Sequence, residues 1–142
     1  MTDSSDDLAP MLNAHRDGWC TAMDLRFVRA TADEVVAEWT VAPQHLQAYG
    51  IVHGGVHSGV IETLASVGAA LHGMPRGQSV VGLENHTSFL RAVREGTLRA
   101  TARRFLPKYE RMLCSSAPSL SSAIVDSFVF SSSTPPICQV WP

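Results

Sequence analysis

One carboxylate lies inside an otherwise apolar, helix-like stretch of this chain, behind a histidine and two glycines. The stretch, residues 47–66, reads Q-A-Y-G-I-V-H-G-G-V-H-S-G-V-I-E-T-L-A-S, and the carboxylate is Glu62. An ionised side chain is expensive to bury without a partner. Glu62 would lie about two and a half turns inside a helix whose first N–H groups have no intrahelical acceptor. This combination indicates a reactive site rather than packing alone.

Helical spacing groups further residues around this carboxylate. Residues four apart share a face, so Ser58, Glu62 and Ser66 form one polar stripe. Gly55 and Gly59 lie beside the stripe and predict open space for a substrate carbonyl and a water.

The helix start, His53-Gly54-Gly55, adds backbone N–H groups where the helix dipole favours developing negative charge. That is an oxyanion hole suited to acyl transfer, with Glu62 as nucleophile or general base. Each residue also has a structural explanation: His53 as a helix cap or core residue, the glycines as turn residues, and Glu62 in an ion pair with an arginine. The two serines would then be small packing residues, and it is the combination that favours chemistry.

The sequence predicts no metal site and no disulfide framework. His53 and His57 have i,i+4 spacing, but Glu62 would lie about 140° around the helix from His57, so the three would not converge. The three cysteines are an odd count without CxxC spacing. The chain also lacks the GxSxG signature of serine hydrolases.

Length and charge exclude several function classes. The 142 residues fit one domain, with a net charge of −2. No long Lys/Arg run supplies a phosphate-binding stripe, so we expect no nucleic-acid partner. The acidic start is unlike a signal peptide, and no apolar run approaches the ~20 residues that cross a membrane. We therefore expect a cytoplasmic protein that does not bind membranes.

The pattern of apolar residues predicts one long helix, from Gly54 to about His72, with apolar residues on nearly every face. Such a helix needs a wrapping layer, and a curved antiparallel sheet would supply it. A short lid helix is predicted at Leu8–Arg16, and residues 1–7 are expected to be disordered. Strands are predicted at Cys20–Ala30, Glu34–Ala42, Ser79–Leu90 and Gly96–Leu106, and in the serine-rich remainder at Ala123–Phe130 and Ile137–Trp141.

These motifs resemble the hotdog-fold acyl-CoA thioesterases, the PaaI-like and 4-hydroxybenzoyl-CoA thioesterase group. That group has a polar amide, then G-x-x-H-G-G, then an acidic residue nine positions after the histidine. The matching residues here are Gln47, Gly50, His53, Gly54, Gly55 and Glu62, with a hydroxyl at Ser66. The group also has a later motif in a pair of strands, N-x-x-F-x-R-x-x-x-x-G. The matching residues here are Asn85 or His86, Phe89, Arg91 and Gly96. The similarity covers roughly residues 20–106.

The resemblance implies an α+β hotdog fold, with an antiparallel sheet of five to six strands wrapped around one long central helix. Residues 1–18 would be an N-terminal tail and short helix, and residues 19–142 the hotdog domain. It also implies a homodimer or a dimer of dimers with sites at the interface. There, Glu62 of one chain would act on a thioester gripped by His53 and Gly54 of the other chain.

The resemblance further implies hydrolysis of an acyl-CoA to the free acid and CoA, without a cofactor, since CoA is part of the substrate. The Gly54 N–H would polarise the carbonyl, Gln47 would orient the nucleophile or substrate, and Ser66 would help to hold the water. Arg91 is a candidate for contact with a CoA phosphate. The remaining candidate substrate-binding residues are Gly55, Ser58, Asn85, His86 and Phe89.

The family pattern stops near Pro107, and residues 107–142 depart from it. A shifted reading frame or an alternative terminus would produce such a tail. This departure favours an alternative function, a catalytically silent hotdog module that binds CoA-like ligands or a partner protein. A hotdog hydratase or dehydratase is a third possibility, but that chemistry would need a different Asp/His arrangement.

Overall fold

The structure is a computed structural model that describes residues 7–16, 18–104, 112–117 and 123–133, with side chains as far as residue 103. One long helix packs against an antiparallel sheet. The predicted α+β architecture is therefore confirmed.

The long helix begins and ends where the sequence places its signals. The helices are α1 (Ala9–Ala14), α2 (Gly18–Ala22) and α3 (Gly54–Gly73). His53 precedes α3 in an extended conformation and caps its first turn, while Pro75 lies just beyond its end. The predicted span of α3, Gly54 to about His72, is confirmed to within one residue.

Six strands form one sheet in the order β1-β2-β4-β5-β6-β3, and all neighbours are antiparallel. Their bounds are β1 (Arg26–Ala30), β2 (Glu34–Thr40), β3 (Ser79–Phe89), β4 (Thr97–Arg104), β5 (Met112–Ala117) and β6 (Ala123–Ser133). Strand β3 follows the helix in sequence but lies at one edge of the sheet. It therefore carries residues to the flank of α3.

The core lies between α3 and the inward face of the sheet. Helix α3 contacts strands β2 to β6. The fully buried residues of the helix are Val60, Ile61, Leu64 and Ala65, and those of β2 and β4 include Val35, Ala37, Trp39, Leu98, Ala100 and Ala102. Burial of apolar surface on both layers makes the largest favourable contribution to the free energy of packing the helix against the sheet.

The predicted strand Cys20–Ala30 is wrong in its first half. Residues 18–22 form α2, and the strand begins only at Arg26. Asp24 has a positive φ of 46°, which turns the chain between the two elements. Cys20 and Leu25 are both buried, so the helix and turn bury the same apolar residues that suggested a strand.

The N-terminal segment is structured from Asp7 onward, one residue before the predicted boundary. Asp7 Oδ1 accepts hydrogen bonds from the backbone N–H groups of Ala9 (3.0 Å) and Ala30 (2.8 Å). The carboxylate thus fastens the start of α1 to the end of β1, and the expectation of disorder is wrong for Asp7. Residues 1–6 lie outside the described residues.

The remaining strand predictions differ in their ends. The second strand stops at Thr40 rather than Ala42, and Pro43 opens a 3-10 turn, Pro43–His45. Strand β6 extends the predicted Ala123–Phe130 to Ser133, whereas β5 was not predicted because Met112–Ala117 carries little alternation. The predicted strand Ile137–Trp141 and the end of Gly96–Leu106 lie outside the described residues.

Within the described part of the chain, none of the helices has the length and apolar character needed to span a bilayer.

Candidate active site

The first turn of α3 leaves one backbone donor without a partner. His53 Nδ1 accepts the Gly55 N–H at 2.9 Å, and the Val56 N–H donates to the His53 carbonyl at 2.9 Å. The Gly54 N–H, at the first helical position, has no intrahelical acceptor. No hydrogen bond from it is found among the described residues. His53 is therefore a helix cap that occupies the Gly55 amide and leaves the Gly54 amide for a ligand.

A tight turn places Gln47 beside this helix start. The Gln47 N–H donates to the Ile51 carbonyl (2.9 Å), and the Gly50 N–H donates back to Gln47 (2.8 Å). Gly50 has a φ of 67°, a conformation that glycine adopts without strain. The Arg94 guanidinium then ties down the turn by donating to the carbonyls of Tyr49 and Gly50. These hydrogen bonds hold the loop before α3 in place beside the helix start.

Glu62 is half-buried and is held by neutral donors. Ser66 Oγ donates to Glu62 Oε1 and Asn85 Nδ2 donates to Glu62 Oε2, both at 3.3 Å. No ion pair to Glu62 is found among the described residues. The alternative explanation, an ion pair with an arginine, therefore has no support in this part of the chain.

Asn85 reaches Glu62 from the edge strand β3. Its Nδ2 also donates to the Ser58 carbonyl at 3.2 Å, and its Oδ1 accepts from Thr87 Oγ1 at 2.7 Å. The bond from Thr87 fixes which end of the amide faces the carboxylate. The structure therefore brings Asn85, and not His86, to the predicted polar stripe, because the His86 ring contacts Glu84 at 2.8 Å instead.

A cavity of about 290 Å³ opens beside the start of α3. It is lined by Gln47, Ile51, Val52, Gly54, His57, Phe89, Leu90, Arg91 and Ala92. Four predicted site residues meet there: Gln47, Gly54, Phe89 and Arg91. Glu62, Ser58, Ser66 and Asn85 do not line it. The volume is near the lower end of the roughly 300–1,000 Å³ of small-molecule sites, which suits a small group.

The open space predicted beside Gly55 and Gly59 is wrong. A methyl group built on Gly59 would lie 2.5 Å from Trp19 Cζ2, and one on Gly55 would lie 2.9 Å from His53 Nδ1. A methyl group on Gly54 would likewise lie 3.0 Å from the Phe89 ring. Each glycine therefore admits an aromatic ring to the helix backbone, and a ring fills the space that a side chain would otherwise occupy.

The sequence presents His57 only as half of a possible metal pair, yet His57 lines the cavity. It is 3% exposed, and burial lowers the pKa of its imidazole below 6.5. Its position three residues after Gly54, on nearly the same helix face, is the signal that could have identified it. Among the described residues, no group of three His, Cys, Asp or Glu side chains has the arrangement of a metal site.

The two parts of the site lie apart along the helix. Gly54 and Glu62 are eight residues from each other, which is about 12 Å at 1.5 Å per residue. Reacting atoms must approach to about 3–3.5 Å. A carbonyl bound at the Gly54 amide is therefore far from the carboxylate of the same chain.

Comparison with known sequences identifies the family. The sequence model of the thioesterase superfamily matches residues 49–104 of this chain. A proposed esterase of Mycobacterium tuberculosis is 39% identical over 82 residues, 56% of this chain and 59% of that relative's length. The 1,4-dihydroxy-2-naphthoyl-CoA hydrolase of Escherichia coli is 32% identical over 93 residues, 65% of this chain and 68% of that enzyme. The chain belongs to the thioesterase superfamily.

Solved structures give the same fold. The Mycobacterium tuberculosis protein superposes with a TM-score of 0.76 at 28% identity, covering 80% of this chain and 94% of that one. A mutant thioesterase from Pseudomonas aeruginosa has a TM-score of 0.78 at 22% identity, covering 93% and 95% of the two chains, which shows the fold alone. The fold is the hotdog fold that the resemblance implied.

The buried imidazole predicts a pH dependence of stability. Below about pH 6.5 the unfolded chain binds a proton at His57 that the folded chain resists, so acid favours unfolding. His57→Phe removes this proton uptake. We expect the thermal midpoint of the wild type to fall, relative to the variant, as pH is lowered from 7 to 5 in calorimetric scans. Parallel curves for the two proteins over that range would contradict this assignment.

Proposed function

We propose that this protein hydrolyses an acyl-CoA thioester to the free acid and CoA, with Glu62 as general base or nucleophile and the Gly54 N–H as oxyanion donor. The observation that carries the proposal is the half-buried carboxylate, which is held by Ser66 and Asn85 rather than by a cation. Membership of the thioesterase superfamily supports the reaction class. The hydrolase activity named for the Escherichia coli relative supports a CoA thioester as substrate.

In the general-base route, Glu62 takes a proton from a water while the water oxygen bonds to the thioester carbon. The carbonyl oxygen becomes an oxyanion and accepts the Gly54 N–H. The C–S bond then breaks, the electron pair leaves with the CoA sulfur, and the sulfur takes up the proton. Ser66 would help to hold the attacking water because its Oγ already lies at the carboxylate.

In the nucleophilic route, a Glu62 oxygen bonds to the thioester carbon and expels the CoA thiolate. The resulting mixed anhydride is hydrolysed by water, which regenerates the carboxylate and releases the acid. The same oxyanion donor serves both steps, and Asn85 would orient the attacking oxygen. Both routes need the Glu62 carboxylate and the neutral Gly54 amide, and neither route needs a second ionised side chain.

The cavity beside Gly54 would hold the acyl end of the substrate. Phe89 provides an apolar wall, and Gln47 at the tight turn would orient the thioester. Arg91 is exposed and lines the same cavity, and its guanidinium has no hydrogen bond or ion pair among the described residues, so it could meet a CoA phosphate. His86 and Gly55 would then have no direct part in binding the acyl group.

A second copy of the chain would complete the site. Because the amide and the carboxylate of one chain lie about 12 Å apart along α3, a two-fold partner is needed to bring one opposite the other. Strand β3 is an edge strand that exposes Val81, Leu83 and Phe89 by more than half. A long edge strand with exposed apolar residues is unusual in a monomer, so we propose that two chains pair through β3.

The carboxylate is tested by Glu62→Gln, which keeps the size of the side chain and removes its charge. We expect kcat for a panel of aryl and aliphatic acyl-CoAs to fall by about 10²–10⁴, measured as free thiol released. Glu38→Gln is the matched control, because Glu38 pairs with Arg99 on the sheet, away from α3. Activity of Glu62→Gln within threefold of the wild type would remove the catalytic assignment.

Absence of thiol release in the wild type, together with calorimetric binding of acyl-CoA, would instead identify the silent ligand-binding module.

The oxyanion donor is tested by Gly54→Pro. Proline is tolerated at the first helical position, and His53 already has the extended conformation that proline requires of its predecessor. The substitution removes the N–H, and we expect kcat to fall by about 10²–10³. Gly54→Ala is the control, since it crowds Phe89 in the same way but keeps the amide. Equal losses in the two variants would assign the effect to crowding and not to the amide.

The shared site is tested by complementation. Gly54→Pro and Glu62→Gln chains, each carrying a different affinity tag, are co-expressed and purified through both tags. A mixed dimer would contain one intact site and one site with both defects, so we expect about half of the wild-type activity per dimer. Each variant alone should remain inactive. An inactive mixed dimer would place both groups in the same chain's site.

A further inference from the structure

His45 is a buried histidine that does not line the cavity and whose ring is fully hydrogen-bonded. It is 0% exposed. Its Nδ1 accepts the Ala42 N–H at 2.9 Å, so this nitrogen carries no proton. Nε2 therefore carries the proton of the ring and donates to the Met23 carbonyl at 3.0 Å. The neutral ring is held in one tautomer, and neither nitrogen is left for a ligand.

The hydrogen bonds of His45 join parts of the chain that are distant in sequence. Ala42 lies in the bend after β2, whereas Met23 lies between α2 and β1, 22 residues before His45. The backbone of His45 adds two bonds: its N–H donates to the Ala42 carbonyl at 2.9 Å, and its carbonyl accepts the His53 N–H at 2.8 Å. His45 thus links the end of β2 and the turn before β1 to the residue that precedes α3.

The bond to His53 is important because His53 sets the geometry of the helix start. The His53 ring takes the Gly55 amide and leaves the Gly54 amide without an acceptor among the described residues. A shift of His53 would turn both amides, and a misplacement of about 1 Å in a catalytic site can cost about 10²-fold in rate. The position of His45 therefore reaches the proposed oxyanion donor through one backbone hydrogen bond.

The far end of the loop before α3 has its own support. The Val52 N–H donates to the Val93 carbonyl at 2.7 Å, and the Arg94 guanidinium holds the preceding turn. Loss of the His45 ring should therefore displace His53 without unfolding the loop.

We propose that His45 is a positioning residue, whose imidazole holds the loop before α3 so that His53 caps the helix and the Gly54 amide faces the substrate carbonyl. This role rests on the proposed function, because it takes the Gly54 N–H as the oxyanion donor. His45 itself touches no reacting atom and acts through His53.

Three substitutions separate the contributions of the ring. His45→Leu removes both of its hydrogen bonds. In His45→Asn the amide oxygen lies near the position of Nδ1 and can accept the Ala42 N–H. In His45→Gln the amide nitrogen lies near the position of Nε2 and can donate to Met23. His15→Leu, at the exposed end of α1, is the matched control.

The substrate is the acyl-CoA that the wild type hydrolyses fastest. We expect kcat to fall by about 10–10²-fold in His45→Leu while KM stays within about threefold, because the amide bonds the oxyanion more strongly than the ground-state carbonyl. His45→Asn and His45→Gln should each recover part of the loss, and His15→Leu should keep the wild-type rate. If His45→Leu does not fold, the Asn and Gln variants take its place, and each should lose kcat at an unchanged KM.

A double-mutant cycle decides whether His45 acts through the Gly54 amide. Gly54→Pro already lacks that N–H, so the further change His45→Leu should alter kcat by less than about threefold. Fully additive losses would overturn the proposal. So would a rise in KM at constant kcat, a wild-type rate in His45→Leu, or no recovery in either the Asn or the Gln variant.

Failure of the proposed hydrolysis is recognised separately, by a wild type that releases no thiol from any acyl-CoA. Hydrogen exchange of the His53 and Gly55 amides, followed by NMR, then replaces the rates. We expect both amides to exchange at least about tenfold faster in His45→Leu, while the Ala100 amide of β4 is unchanged. Unchanged exchange at the helix start, or equal acceleration at Ala100, overturns the role of His45.

Discussion

A single side-chain amide on strand β3 holds the candidate carboxylate against helix α3. Asn85 donates both to Glu62 and to the Ser58 carbonyl, and Thr87 fixes the other end of the amide. The bonds to the carboxylate measure 3.3 Å, whereas charge-assisted bonds usually measure about 2.7–2.9 Å. The carboxylate is therefore oriented without being locked, and it keeps lone pairs for a water or a carbonyl carbon. A close ion pair would have used those lone pairs.

The start of α3 shows how glycine shapes the other part of the site. The Phe89 ring occupies the space beside Gly54 and the His53 ring the space beside Gly55, since a methyl group on either glycine would lie about 3 Å from the ring. The His53 ring takes one free amide of the helix start, and the Phe89 ring walls the cavity beside the other. Because the two glycines have no side chains, the two rings can lie close to the helix start. The positions of the rings then decide which of the two amides a ligand can reach.

The sequence predicts the features that depend on local rules. Helix α3 follows from its cap, its apolar run and its closing Gly-Met-Pro, and β2 follows from alternation. Features that depend on distant contacts were not predictable. Cys20 lies in helix α2 rather than in a strand, and the space beside Gly59 is filled by Trp19 of α2, forty residues earlier. His57 was missed because an apolar cavity gives no pattern along the chain; only the fold brings it to Gly54 and Phe89.

The position of Glu62 also explains why a helix alone is an insufficient scaffold for this site. The proposed oxyanion donor, the Gly54 N–H, belongs to the first turn of the helix. The carboxylate is held by Ser66, farther along the helix, and by Asn85 of the sheet. One straight helix cannot bring its own end to its own middle, but a two-fold copy can bring its end there. Under the proposed dimer, pairing of the β3 edges therefore sets the distance between amide and carboxylate. Activity would then depend on that edge contact as much as on any reacting side chain.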